Sequence, residues 1–184
     1  MPRSLVAVTA AMTVCGQAES AAAALDLTEK TQPDLALVDI SLDDMNGLVL
    51  VKGLKSRQRN LRVLILSMHD EALYAERALR AGAHGYIMKR EAPTKVITGI
   101  RRVLAGDVYL SDDISARIMR KFASGTDAAD ESPVARLSDR ELEVYNHIGQ
   151  GLKTSQIAAK LNLSVKTIET YREHIKEKLG LNDA

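Results

Sequence analysis

Short apolar runs alternate with amphipathic stretches between residues 34 and 110, and this alternation limits the possible folds more than any other feature. Three runs, at 34–40, 62–67 and 85–88, are apolar on both faces, as buried parallel strands are. Helical patterns precede, separate and follow these runs, at 20–31, 48–56, 71–81 and 94–105. Strands and helices in this order predict an α/β doubly wound parallel sheet with helices on both faces.

The sequence changes in character after residue 110. A helix is expected at 112–122, and the small, polar residues at 124–136 indicate a linker. Beyond the linker only helical patterns occur, and Ser138 with Glu141 forms a capping box at the start of the first. We therefore predict a small all-α domain with helices at 139–148, 154–161 and 165–179. The predicted division is 1–108, 109–136 and 137–184.

Composition excludes several classes of protein. The 184 residues carry a net charge of +1, which argues against a polyanion-binding tail. The single cysteine, Cys15, excludes an internal disulfide framework and a cysteine-rich zinc site, and its apolar surroundings predict a buried thiol. No apolar run approaches the roughly 20 residues of a membrane span, and no secretory signal is evident. A reducing, cytoplasmic setting is therefore expected.

Polar side chains stand at the ends of the three predicted strands. Asp39 ends the first strand, Ser67 ends the second, and Lys89 follows the third. Because parallel strands end at the same edge of a sheet, these side chains are expected to meet there. An aspartate can attack a phosphoryl donor, a hydroxyl can bond to the new phosphoryl group, and an ammonium can neutralise it. The combination favours a phosphoacceptor site over three solvated strand ends, and an enzyme has little support.

Residues 151–180 form a candidate helix-turn-helix. Ile157 and Ala158 on its first helix can pack against Ile168 and Ile175 on the second, which leaves a polar helix face exposed. The segment has six basic and three acidic residues, a local excess of +3 that suits contact with phosphates. Charge alone is explained equally well by a solvated helix.

Two sets of motifs resemble known families. The receiver domain of two-component response regulators of the NarL/FixJ type is similar in five motifs, namely Pro33-Asp-Leu-Ala-Leu-Val-Asp39, Met45-Asn-Gly47, Val63-Leu-Ile-Leu-Ser67, Ala78-Leu-Arg-Ala-Gly-Ala83 and Gly85-Tyr-Ile-Met-Lys89. This resemblance implies that Asp39 is the phosphoacceptor and a ligand of Mg²⁺. It makes Ser67 the switch hydroxyl, Tyr86 the aromatic side chain that rotates with it, and Lys89 the lysine of the site. A sensor histidine kinase is the implied partner.

Residues 137–182 resemble the LuxR-type helix-turn-helix. The similarity lies in Leu137-Ser-Asp-Arg-Glu-Leu-Glu-Val144, Gly151-Leu-Lys-Thr-Ser-Gln-Ile-Ala158, Leu163-Ser-Val-Lys-Thr-Ile-Glu-Thr-Tyr171 and Lys178-Leu-Gly-Leu-Asn182. It implies that 164–179 is a recognition helix in the major groove and that a homodimer binds two DNA half-sites.

The same resemblance assigns roles within the helix-turn-helix. Base edges would be read by Glu169, Thr170 and Glu173, although Glu173 could instead pair with Lys176. Phosphates would be held by Lys153, Thr154, Ser155, Lys166 and Arg172, and the exposed set also includes Thr167 and Lys176.

Three features depart from the receiver and LuxR patterns. The first acidic residue is Glu19, so the acid pair that holds Mg²⁺ with the phosphoacceptor has no counterpart, and residues 12–16 are expected to form the second strand of the family. Asp43 stands where proline is usual, and the last LuxR-type helix has no counterpart. Both ends therefore look truncated. We expect Mg²⁺ binding to be doubtful and phosphorylation to be impaired. The alternatives are a phosphorylation-independent protein-interaction module and a non-functional fragment.

Overall fold

The computed structural model describes residues 12–42, 45–91, 93–124 and 132–181. The chain divides into two compact units, 1–120 and 121–184. No helix in the described ranges is both long and apolar enough to cross a bilayer.

The first unit contains a parallel sheet of three strands with helices on both faces. The strands are β1 (Leu35–Asp39), β2 (Arg62–Ser67) and β3 (Gly85–Met88), hydrogen-bonded in the order β1-β2-β3. The helices are α1 (Ala21–Thr31), α2 (Gly47–Arg57), α3 (Glu71–Ala81), α4 (Pro93–Ala105) and α5 (Asp112–Ser124). The predicted doubly wound sheet is confirmed over these residues.

Alternation of side chains along the strands divides the core between the two faces. Leu64 and Ile87 point to one face, where Val96, Ile100 and Val103 of α4 cover them. The neighbouring positions Val38, Ile65 and Tyr86 are also buried and point to the opposite face, where α2 and α3 supply Leu48, Val51, Leu54 and Tyr74. Burial on both faces explains why the strands read as continuous apolar runs.

Local signals set the ends of the helices. Asp70 caps α3 by accepting a hydrogen bond from the amide of Ala72, and Gly82 ends the helix in the left-handed region at φ 102°. An L side chain is strained at that φ, so glycine suits the position. Asn46 caps α2 in the same way, through a bond from the amide of Leu48.

The prediction of a strand at residues 12–16 is wrong, because residues 12–18 form no strand. A strand needs a neighbour for its backbone hydrogen bonds, whereas here only the Met12 side chain packs against the α4 face of the sheet. The prediction that the Cys15 thiol is buried is also wrong, since Cys15 is exposed. The backbone of Tyr109, by contrast, bonds to Tyr86 and His84 and makes an isolated bridge beside β3.

The second unit is helical, as predicted. It contains a short 3₁₀ helix (Pro133–Arg136), α6 (Asp139–Gly149), α7 (Thr154–Lys160) and α8 (Val165–Leu179). Of the segment predicted as a linker, residues 125–131 lie outside the described residues. Both hydrogen bonds of the predicted capping box between Ser138 and Glu141 are present. The small core consists of buried Leu137, Leu142, Val144, Ile157, Ala158, Ile168 and Ile175.

Candidate functional site

The carboxyl edge of the sheet brings Asp39 and Lys89 together. Asp39 is the last residue of β1, and its Oδ2 forms an ion pair with Nζ of Lys89, the residue after β3. Its Oδ1 accepts a hydrogen bond of 3.1 Å from the amide of Ser41. The Asp39 side chain is 28% exposed, so the carboxylate is accessible to a reagent from solvent although both of its oxygens are engaged.

Ser67 lies beside this pair, at the end of β2, and is fully buried. Its Oγ accepts a hydrogen bond of 3.0 Å from the amide of His69. Its carbonyl accepts one of 2.8 Å from the amide of Lys89. The Ser67 hydroxyl is therefore tied to the loop that follows β2, and this loop also carries the helix cap Asp70.

Tyr86 is buried below the same edge, with 1% of its surface exposed. Its hydroxyl donates a 2.9 Å hydrogen bond to the carbonyl of His69. Burial raises the pKa of the Tyr86 hydroxyl well above its ordinary value, and three nearby carboxylates raise it further against a hydrogen bond with Ser67. The hydroxyl is therefore a neutral donor at physiological pH.

His69 is a member of this site that sequence reasoning missed. Its Nε2 lies 3.0 Å from Oγ of Ser41, and its ring stacks on Tyr74 with centroids 4.8 Å apart. Through its backbone it also binds Ser67 and Tyr86. Histidine has no metal-ligand spacing here, and a contact across 28 positions leaves no local signal in the sequence.

The described residues do not fit the Mg²⁺ that the receiver resemblance implies. Within the described ranges, no group of three or more His, Cys, Asp or Glu side chains is arranged to hold a metal ion. Asp39 already bonds to Lys89 and Ser41 through both oxygens. Asp43 and Asp44, the nearest acids in sequence, lie outside the described residues. Mg²⁺ usually needs one or two carboxylates together with phosphate oxygens, so Asp39 alone is a poor anchor.

All ten residues predicted to contact DNA lie at least partly in solvent. Exposed or half-exposed side chains occur at every one of these positions, namely Lys153, Thr154, Ser155, Lys166, Thr167, Glu169, Thr170, Arg172, Glu173 and Lys176. The first three stand at the start of α7, where Lys153 is the cap residue, and the rest lie on α8. The two helices are joined by a turn in which Asn162 adopts φ 53°.

Several of these side chains already have partners within α8. Lys176 Nζ lies 3.3 Å from Oε1 of Glu173, which is the pairing that the sequence left open. Lys166 lies 4.0 Å from a carboxylate oxygen of Glu169. Both pairs are solvent-exposed and so cost little to open. Thr170 Oγ1 donates to the Lys166 carbonyl at 3.1 Å.

A buried ion pair at the far end of α8 was also missed. Glu141 is 4% exposed, and its Oε2 accepts hydrogen bonds from Nζ of Lys178 at 2.6 Å and from the amide of Ser138 at 2.7 Å. Nδ1 of His174 lies 3.7 Å from Oε1. Burial alone would raise the pKa of the Glu141 carboxyl, but the bonds from Lys178 and Ser138 hold it below the usual range. The sequence showed only the capping role.

Comparison with known proteins identifies both units. The family of the response regulator receiver domain matches residues 3–101, which is more than half of the chain. The luxR family of bacterial regulatory proteins matches residues 135–184. This chain belongs to the two-component response regulators. It is a transcriptional response regulator that joins a receiver to a LuxR-type DNA-binding domain, as the two resemblances predict.

Similar response regulators share most of this architecture. Oxygen regulatory protein NreC of Staphylococcus carnosus is 35% identical over 154 residues, which are 82% of this chain and 71% of that protein. Response regulator UvrY of Escherichia coli is 31% identical over 169 residues, covering 92% and 77% of the two chains. The crystal structure of a LuxR-family response regulator from Aurantimonas aligns with a TM-score of 0.60 at 29% identity, covering 66% and 86%.

Proposed function

We propose that Asp39 is the phosphoacceptor of this response regulator and that a sensor histidine kinase is its donor. The ion pair between Asp39 and Lys89 at the carboxyl edge of the sheet is the observation that supports this best. An Asp39 oxygen forms the new O–P bond while the N–P bond to the kinase histidine breaks. Lys89 compensates the added negative charge, since its ammonium already lies against the carboxylate.

Ser67 and Tyr86 transmit the change. To bond to a phosphoryl group on Asp39, the Ser67 hydroxyl must leave the amide of His69, whose carbonyl holds the Tyr86 hydroxyl. Exchange of these bonds shifts a pre-existing equilibrium between two arrangements of the loop after β2.

Phosphorylation of this chain is poor, because its described residues give Asp39 no companion carboxylates for Mg²⁺ and both of its oxygens are engaged. The test is incubation of the 184-residue chain with acetyl phosphate and Mg²⁺, followed by intact mass spectrometry. An Asp39→Asn variant is the matched control. We expect little or no gain of one phosphoryl unit, and efficient gain that the control lacks would overturn impaired phosphorylation while establishing Asp39 as acceptor.

In the DNA-binding domain, α8 is the recognition helix, and a homodimer places two copies in half-sites about one helical turn apart. Glu169, Thr170 and Glu173 face base edges. Phosphates are contacted by Lys153, Thr154, Ser155, Lys166 and Arg172, with Thr167 and Lys176 in the same exposed set. The exposure of all ten side chains supports this assignment.

Salt dependence separates phosphate contacts from base contacts. Lys166→Met should weaken binding to all sequences and reduce the slope of log affinity against log salt by about 0.9, the value for one phosphate contact. An unchanged slope would remove Lys166 from the phosphate set. Thr170→Val should change the preferred sequence instead, and an identical preference would remove Thr170 from the reading set.

A second function, a protein-interaction module that acts without phosphorylation, is favoured by one observation. Asp39 already has a cationic partner in Lys89, an arrangement that needs no phosphoryl group. Gel shifts with genomic fragments distinguish the two functions. Sequence-selective retention supports the DNA-binding regulator, whereas retention of no fragment supports the interaction module.

A further inference from the structure

The last turn of α8 is joined to the start of α6 by the ion pair between Lys178 and Glu141. Glu141 is 4% exposed and is therefore enclosed by protein, whereas the Lys178 side chain is 39% exposed. Because the ammonium is bound to Glu141 at 2.6 Å, Lys178 is not a free cation for a phosphate. The sequence alone would count this residue among the basic residues that attract DNA.

Apolar packing alone leaves α8 able to roll. Its two buried residues, Ile168 and Ile175, are seven positions apart, which places them only about 20° apart around the helix axis. Two points on one line resist translation but not rotation about that line. Lys178 lies about 60° around the axis from Ile175, so the ion pair adds a third point away from the line.

A small roll is enough to disturb reading of the bases. Side chains on α8 end about 5 to 6 Å from the axis, so a roll of about 20° moves them by about 2 Å. Hydrogen bonds to base edges do not survive a displacement of that size. The face that would move carries Glu169 and Thr170, which are both exposed.

We propose that Glu141 and Lys178 are positioning residues for DNA recognition, which fix the rotation of α8 without contacting DNA. This inference rests on the proposed use of α8 as recognition helix. Glu141 combines two tasks, since the same oxygen that binds Lys178 accepts the capping bond from Ser138. Lys178 has only the pairing task, which makes it the better residue to change.

The experiment uses the full chain and two duplexes of equal length and composition, one enriched by the wild-type protein from a random pool and one scrambled. Lys178→Met removes the charge but keeps the long side chain. Glu141→Gln keeps an oxygen for the capping bond. Lys178→Arg retains the pair, and Lys160→Met removes a charge from the exposed end of α7 as a control.

Lys178→Met and Glu141→Gln are expected to lose about tenfold in discrimination between the duplexes, the equivalent of one mismatched base pair. The salt slope should not change, Lys178→Arg should restore discrimination, and Lys160→Met should leave it intact. A flattened slope would show that Lys178 contacts phosphate, and unchanged discrimination with lowered thermal stability would show a structural role only; either result overturns the proposal. If the wild-type chain enriches no duplex, the proposed function fails as well.

Discussion

The Tyr86 hydroxyl offers a direct test of how the phosphoacceptor edge is held. The ring is 1% exposed, and the hydroxyl donates a 2.9 Å bond to the carbonyl of His69. Tyr86→Phe removes the donor while the ring stays. The His69 carbonyl then loses its partner in a buried setting, which costs about 1.5 kcal/mol when the lost bond and the unpaired acceptor are combined.

That energy converts into a measurable shift in melting temperature. A unit of about 110 residues unfolds with an entropy near 0.23 kcal/mol/K, so about 1.5 kcal/mol lowers its Tm by about 6 °C. Calorimetry of the full chain measures this shift in the transition of the first unit, with the transition of residues 121–184 as internal reference. Tyr109→Phe, which removes a hydroxyl from a half-exposed ring, is the matched control and should change little.

The pH dependence gives the prediction a second signature. The pKa of Tyr86 is raised in the folded state, so the unfolded chain loses this proton first, near pH 10. Stability from the neutral hydroxyl is therefore complete below pH 10 and is lost above it, by about 1.4 kcal/mol per pH unit. Phenylalanine has no proton to lose, so the gap between wild type and Tyr86→Phe should close near pH 11. A gap that is absent at pH 7, or constant from pH 7 to 11, would refute the reasoning.

Two further changes test the supports of the two units. Gly47→Ala should destabilise the first unit by about 3 kcal/mol, because the new Cβ would lie 2.2 Å from the Asp39 carbonyl oxygen; in the same calorimetric assay Gly53→Ala, whose nearest neighbour would be 3.5 Å away, should be neutral or stabilising, and equal effects would contradict this account. Ser138→Ala should lower the stability of the second unit by about 1 kcal/mol through loss of the cap to Glu141, and no shift in the second transition would show that the cap is dispensable.

Elements with local signals could be predicted from the sequence to within a residue or two. Helix α3 begins after the cap at Asp70 and ends before Gly82, and strand β2 covers the predicted residues 62–67. These signals act within one turn or one run and need no knowledge of the rest of the chain. Residues 12–16 failed because an apolar run becomes a strand only beside a partner, which their own sequence does not specify.

The candidate sites divide in the same way. Asp39 and Lys89 were predicted to meet because parallel strands share an edge, and topology alone was sufficient for that step. The bond between His69 and Ser41, and that between Lys178 and Glu141, depend on how loops and helices pack. Glu141 shows the limit clearly, because its cap to Ser138 is local and predictable whereas its pair with Lys178 spans 37 positions.

The loop after β2 is also joined to α5, which lengthens the reach of the phosphoacceptor edge. Glu71, two residues beyond His69 and 9% exposed, accepts a 2.9 Å hydrogen bond from the amide of Ser111 just before α5. Arg117 of α5 donates to the carbonyl of Ala72. A rearrangement of the loop must therefore stretch or carry these bonds, because the acceptors belong to the first turn of α3. Since α5 is the last helix of the first unit, a continuous set of hydrogen bonds runs from the sheet edge to the element that leads out of the receiver.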